Sequence, residues 1–357
     1  MNKKAAAFIN SEIDRLAEKI FSVQRLRQPE LNERYDASLK KLCLQDIKCH
    51  LSYLGEALEV SSLTLFLDYM VWAKDLLNNL KLPTQDFIVN VECIKEVLAE
   101  ETPAGCAEII ASYIEAALEK LKIQTFCRRS FLDIEAPHYE LAGKYLNFLI
   151  NGDKNQANQL IQDAFKNGVS IKDLYLYVFQ KTQRELGRLW YENKITVACE
   201  HYCTAATQLI ISQLYPYIFS ASKNSENKKY NIVIACVSNE LHEMGIRMVA
   251  DFLELEGFNT YYLGANVPQK SIIQTIYEKK ANVLALSTTI TTHIKHTAAI
   301  IEEIKGCPAG SDVKVIVGGY PFNVDAGLWK KIGAHGYAAD MSCAVEKVSS
   351  LIGLKEN

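Results

Sequence analysis

The feature that most constrains this chain is a change of hydrophobic period near residue 230. Upstream, apolar residues recur at helical spacing. Downstream, Ile232-Val233-Ile234-Ala235-Cys236-Val237 is a continuous β-branched run of strand length, as expected for a strand buried on both faces. Similar runs follow at 259–263, 283–287 and 313–317, with a weaker one at 336–339. Helical patterns lie between and after them at 241–256, 269–280, 292–305, 324–332 and 343–351. Strand and helix alternating five times predict a doubly wound parallel α/β sheet of five strands. Such sheets take ligands at the carboxyl ends of their strands, where the strand order reverses.

Two helical segments precede this one. Residues 1–130 carry apolar stripes through Ile13, Leu16, Ile20 and Val23 and through Leu65, Tyr69, Trp72 and Leu76. Pro83 and Thr102-Pro103-Ala104-Gly105 punctuate them, which predicts an all-α N-terminal domain. Residues 131–222 predict a four-helix bundle: 140–151, 155–167, a helix from a Ser170 cap to about Trp190, and 196–215 before Pro216. The polar, lysine-rich stretch 220–229 predicts a linker, and the third domain is 223–357.

Charge and cysteine usage exclude several classes. With 39 Lys and Arg against 42 Asp and Glu, the chain has no basic excess for nucleic acid or an anionic membrane. Residues 1–130 hold 17 basic and 19 acidic side chains, unlike a DNA-binding head. No apolar run approaches the ~20 residues of a membrane helix. Asn10 and Glu12 interrupt the stretch after Lys3 and Lys4, against a signal peptide, so a cytoplasmic location is expected. None of the 10 Cys forms a Cys-x-x-Cys pair, and most read as reduced, buried side chains.

The loop after the first strand, Ser238-Asn239-Glu240-Leu241-His242-Glu243-Met244-Gly245, lies where a ligand is expected. An imidazole here could bind a metal through one nitrogen while Glu240 accepts a hydrogen bond from the other. Gly245 would let something pack against the helix start. Standing alone, a histidine at a helix start is more often bonded to nearby backbone. Ser287-Thr288-Thr289 ends the third strand and Gly318-Gly319 the fourth, so small residues leave room at the same edge.

Glu-x-His-x-x-Gly followed by Ser-x-Thr and Gly-Gly on five βα units resembles the cobalamin-binding domain, whose usual pattern is Asp-x-His-x-x-Gly, Ser-x-Leu and Gly-Gly. The resemblance implies a flavodoxin-like fold, His242 as lower axial cobalt ligand and Glu240 as its acceptor. Leu241 and Gly245 belong to the same motif. Ser287, Gly318 and Gly319 would line a slot for the displaced dimethylbenzimidazole tail. Glu240 for Asp and Thr289 for Leu are the departures. In the bundle, Trp190, nine residues, then Glu200-His201 is similar to the helical cap of cobalamin-dependent light sensors, where these residues, with Val197 beside them, cover the upper face and its 5′-deoxyadenosyl group. As a plain bundle feature, Trp190 would be core. Tyr191 stands where some relatives carry a His, so a bis-histidine photoproduct is not implied unless His201 or another residue supplies it.

Residues 1–130 resemble the helical domain of photocobilins, in which a biliverdin lies beside a cobalamin domain. Cys43, Cys49, His50, Tyr53, Asp68, Tyr69 and Trp72 suit such a pocket in kind, and equally suit the core of a helical dimerisation domain. The implied function is a light sensor holding adenosylcobalamin and biliverdin, a regulatory protein rather than an enzyme, with these chromophores as its small-molecule partners. A self-association or a downstream signalling protein would read the change. The alternative is a corrinoid protein carrying methyl groups for a methyltransferase in trans. A third possibility is a cobalamin chaperone, which needs neither Trp190 nor Glu200.

Overall fold

The computed structural model describes residues 1–34, 37–123, 129–222, 225–306 and 312–354; Cys127 and Cys307 lie outside these. The chain divides into two compact units. Unit 1 is residues 1–126 together with Ile290–Lys295 and Val324–Ile332; unit 2 is the remainder. Among the described residues no helix is long and apolar enough to cross a membrane.

Unit 1 is built on the helices Asn2–Ser11, Ile13–Arg27, Ala37–Glu59, Leu63–Asn79, Thr84–Glu101 and Ala107–Ile123. The two stripes read from the sequence point inward: Leu16, Ile20, Leu65 and Tyr69 are buried, with Ile13, Val23 and Trp72 at the margin of the core. Pro83 immediately precedes one helix, and Gly105, at φ +88°, lies in the break before another. One polar ladder is buried among these helices. Gln24 Nε2 donates to Gln28 and to the Asp86 carbonyl, Gln28 to Asp86 Oδ1 and Asn90 to Gln24. Pairing satisfies most of these groups, which would be expensive to bury alone, while Asn90 Oδ1 has no hydrogen-bond partner among the described residues.

Unit 2 contains the helical bundle and the sheet. The bundle helices are Tyr139–Ile150, Lys154–Lys166, Ile171–Tyr191 and Val197–Ser212. Asp153, Ser170 and Thr196 cap three of them, each side chain accepting a backbone N–H of the first turn. Two features depart from the sequence expectation. The third helix contains a π-helical turn, Leu174–Phe179. A further helix, Tyr215–Ser222, runs through Pro216, because proline at a helix start sacrifices no intrahelical bond. The stretch 220–229 is therefore partly structured: its first residues close that helix, and the Asn227 side chain donates to the Glu256 carbonyl.

The five strands are β1 Asn231–Cys236, β2 Asn259–Tyr262, β3 Val283–Ser287, β4 Lys314–Gly318 and β5 Gly336–Ala338. All pair in parallel in the order β2-β1-β3-β4-β5. The order reverses between β1 and β3, which is where a ligand crevice is expected. β1 and β3 are buried almost throughout, as their unbroken apolar runs require. The helix expected at 241–256 begins only at Met244, and that expected at 324–332 is two short pieces, Tyr320–Val324 and Leu328–Lys331. Both shortenings have local causes at the carboxyl edge.

Candidate corrinoid-binding edge

Parallel register aligns the last residues of three strands. Cys236 of β1 pairs with Ser287 of β3, which pairs with Gly318 of β4. The loop beyond β1 does not enter a helix at once, because its donors are satisfied by a side chain. Glu240 is fully buried, and its Oε1 accepts the His242 backbone N–H at 3.0 Å and His242 Nδ1 at 2.6 Å. Its Oε2 accepts the Thr289 backbone N–H at 2.7 Å. One carboxylate thus ties the β1 loop to the β3 loop. Asn239 takes φ +67°, and its N–H is received by the Asn266 side chain. The carbonyl of His242 faces the buried Cys236 thiol, which burial pushes up to about 12, so it stays protonated.

Nδ1 being bonded to Glu240, the imidazole presents Nε2 to the outside, and the His242 side chain is 60% exposed. The hydrogen bond to Glu240 raises the His242 pKa above its ordinary 6.5 against the opposing effect of burial. The charges of Glu240 and, from the bundle, Glu200 add to the rise. A buried acceptor behind one nitrogen and an open second nitrogen is the arrangement of a single metal-ligating histidine.

The β3 and β4 ends are held close by their smallness. Thr288 donates its N–H to the Gly318 carbonyl at 3.0 Å, and its buried hydroxyl bonds that of Thr297. Gly319 has φ +109°, and a Cβ there would lie 2.0 Å from the Thr288 carbonyl oxygen. No other residue fits. A Cβ on Gly318 would lie 3.1 Å from the Ala338 carbonyl oxygen. Gly245 differs: among the described residues nothing stands within 4 Å of a Cβ built there, so the space beside the helix start is open to a bound group.

From the bundle, Trp190 is 38% and Val197 51% exposed, while Leu241 on the β1 loop is 70% exposed. Trp190 is thus not plain bundle core, whereas its neighbour Tyr191 is buried. Glu200 accepts Thr204 Oγ1 at 2.8 Å and bonds Nδ1 of the exposed His201 at 2.6 Å. Thr204 Oγ1 also stands 2.9 Å from Gln183 Oε1, but its one proton serves a single acceptor at a time; deeper in the bundle Gln183 Nε2 and the Tyr145 hydroxyl both donate to Thr207. Gln208 reaches across to Glu243 Oε1 at 2.9 Å, and Tyr262 holds Glu243 Oε2. Sequence reasoning missed Gln208, Tyr262 and Asn266, and found Thr288 as a small residue at the β3 end without its bonds to Gly318 and Thr297. Of those missed, only Asn266 carried a signal, its place in the loop following β2.

The N-terminal candidates gather elsewhere. His50 is buried, its Nδ1 2.8 Å from the Tyr69 hydroxyl, and burial pushes its pKa down to about 4. Tyr53 stacks on Tyr69 at 3.6 Å, and Tyr69 on Trp72 at 6.0 Å. Tyr53 and Trp72 pack against the core of unit 1. Asp68 and Cys43 are half-buried, and Cys49 is exposed.

Residues 230–346 match the B12 binding domain family, and residues 141–215 match a second family of the same description. Trimethylamine corrinoid protein 2 of Methanosarcina mazei is 26% identical over 214 residues, 60% of this chain and 96% of that protein. Dimethylamine corrinoid protein 2 of the same organism is 33% identical over 127 residues, 35% of this chain and 58% of that protein. The solved Methanosarcina barkeri monomethylamine corrinoid protein superposes with a TM-score of 0.51 at 20% identity, over 61% of this chain and 99% of that one, a likeness of fold.

Proposed function

We propose that this chain, a member of the cobalamin-binding proteins through its two B12 binding domains, carries methyl groups for a partner methyltransferase. The observation that carries the reading is the Glu240 clamp, which presents His242 Nε2 at the switch point of the sheet. Support for the methyl-carrying role comes from the alignment with a trimethylamine corrinoid protein over 96% of that protein's length. The residues fit a corrinoid. Among the described residues no three His, Cys, Asp or Glu side chains are placed to hold a bare ion. One imidazole suits a metal that arrives with its other ligands. A bound corrinoid supplies a cobalt centre able to take up and give up a methyl group.

The chain's own part is positioning. His242 would hold the corrinoid's metal through its Nε2 lone pair, with Glu240 keeping the proton on Nδ1. Gly318 and Gly319 keep the β4 end free of side chains, and Ser287 adds a small hydroxyl beside them. Trp190 and Val197 would lend their exposed apolar surface to a bound corrinoid and shield it from water.

The test begins with the full chain purified in darkness and loaded with hydroxocobalamin. His242→Ala should blue-shift its absorption spectrum; an unchanged spectrum would remove His242 as ligand. The loaded chain is then reduced and given radiolabelled methyl iodide. Label that stays with the chain in darkness and passes to a thiol acceptor supports the carrier.

A second reading, light sensing through adenosylcobalamin with biliverdin in unit 1, is favoured by the exposed Trp190 ahead of the anchored Glu200-His201 pair. It requires a light-dependent change in the hydrodynamic size of the adenosylcobalamin-loaded chain and a red absorption band on adding biliverdin.

A further inference from the structure

The matched families begin at residue 141, so they leave the helices of unit 1 without a role. Yet unit 1 includes two pieces of chain from far downstream, Ile290–Lys295 and Val324–Ile332. The first follows Thr289 directly, the residue whose N–H is bonded to Glu240. The second is separated from Gly319 only by the short helix Tyr320–Val324 in which it begins. These are the continuations of β3 and β4, the strands whose ends carry Ser287, Gly318 and Gly319.

The first piece is held by one helix of unit 1 and the second by the turn that follows that helix. The helix Ala37–Glu59 packs on the turn Thr291–His293, and the buried carboxyl of Glu56 receives the Lys295 backbone N–H. After that helix, Ser61 takes φ +52°, a left-handed conformation that is costly for a residue with a Cβ. Its carbonyl accepts Lys331 Nζ at 3.0 Å. Ser62, buried, donates its hydroxyl to Asp325 Oδ2 at 2.7 Å, and Lys331 bonds the same oxygen at 2.9 Å. Asp325 Oδ1 accepts the Gly327 N–H, which is why the expected helix 324–332 breaks there.

We propose that the Ser61–Ser62 turn, with Glu56, is a positioning device for the slot that takes the nucleotide tail of the corrinoid. The sheet ladder fixes the ends of β3 and β4 themselves; the turn fixes the loops that leave them after Thr289 and Gly319, and so the walls of the slot beyond the sheet. This rests on the corrinoid reading above. Ser62, Asp325 and Lys331 act through the loops and are positioning residues.

The full chain, Ser62→Ala, Lys331→Met and Ser62→Thr are each titrated with hydroxocobalamin and with diaquocobinamide, a corrin lacking the benzimidazole nucleotide. Ser62→Ala and Lys331→Met should bind hydroxocobalamin about three to tenfold more weakly, with cobinamide affinity unchanged. Ser62→Thr, which keeps the hydroxyl, should restore binding. Equal losses for both corrinoids would indicate general damage to the fold, and unchanged affinities an idle contact; either overturns the proposal while leaving the corrinoid reading standing. A wild-type chain that binds neither corrinoid overturns both.

Discussion

Glu240→Gln tests the clamp at its centre. The carboxylate is fully buried and accepts three N–H groups, from His242 N at 3.0 Å, His242 Nδ1 at 2.6 Å and Thr289 N at 2.7 Å. Glutamine has one acceptor oxygen. If it faces His242, its NH₂ is set against the Thr289 N–H, and a buried donor left unpaired costs about 1–3 kcal/mol. The two remaining bonds lose their charge assistance, about 1 kcal/mol each, partly offset by relief of a buried charge. The net expectation is a local destabilisation of roughly 2–3 kcal/mol. Amide exchange at Thr289 and His242 in the cofactor-free chain reads that opening directly, without requiring two-state unfolding. The pH dependence has a defined sign. Glu240 raises the folded pKa of His242 above 6.5, so the pair's contribution is full below 6.5 and lost as pH rises through the raised value. The deficit of the variant should therefore be larger at pH 6 than at pH 8, and its His242 should titrate lower by NMR. Unchanged exchange at both amides together with an unchanged His242 titration would refute the clamp.

Gly319→Ala should destabilise unit 2 by about 3 kcal/mol or more, because φ +109° and a 2.0 Å approach to the Thr288 carbonyl oxygen leave its Cβ nowhere to go; a melting temperature within a degree of wild type would contradict this. Tyr175→Phe removes the 2.8 Å bond to Asp251, whose carboxyl burial pushes up to about 6. It should lower stability by about 1–2 kcal/mol in denaturant titration above pH 6, with less effect below, where Asp251 is protonated. In unit 1 two buried groups oppose each other. His50, lowered by burial from 6.5 to about 4, stays neutral when folded, so acidification below 6.5 destabilises by about 1.4 kcal/mol per pH unit. Glu56, raised by burial from 4.5 to about 7, holds its proton when folded; stability is gained on acidification through that window and lost as pH rises through about 7. Glu56→Gln should expose the His50 slope, and a urea midpoint for the N-terminal helices that stays flat from pH 6.5 to 4.5 would refute the pairing.

Where a pattern depends on neighbours in the chain, the sequence was legible. Every strand was placed within a residue or two, because β-branched runs buried on both faces leave little choice. The helix starts at 244 and 328 were not, because Glu240 and Asp325 bond backbone N–H groups that a helix would otherwise use. The Glu240–His242 pair is two residues apart and readable. Its third partner, Thr289, required the β1–β3 register and so was invisible as a bonding group. In unit 1 the aromatic residues suited a chromophore pocket in kind. The rings of Tyr53, Tyr69 and Trp72 are stacked on one another, a choice that helical spacing alone does not encode.

The upper face separates the two functional readings, because a methyl group and a deoxyadenosyl group ask different things of Glu200. Its carboxylate is held by the Thr204 hydroxyl on one oxygen and by His201 Nδ1 on the other, so it is a positioned acceptor. A methyl group offers it no donor. Ribose hydroxyls offer two, each worth about 1.5–3 kcal/mol to a charged partner, or roughly tenfold to a hundredfold in affinity. For a methyl carrier, Glu200→Ala should leave methylcobalamin affinity within about twofold of wild type, and wild type should bind adenosylcobalamin no more tightly than methylcobalamin. Equilibrium titration in darkness measures both ratios. A tenfold preference for adenosylcobalamin that Glu200→Ala abolishes would refute the carrier and assign the cap to an adenosyl ligand.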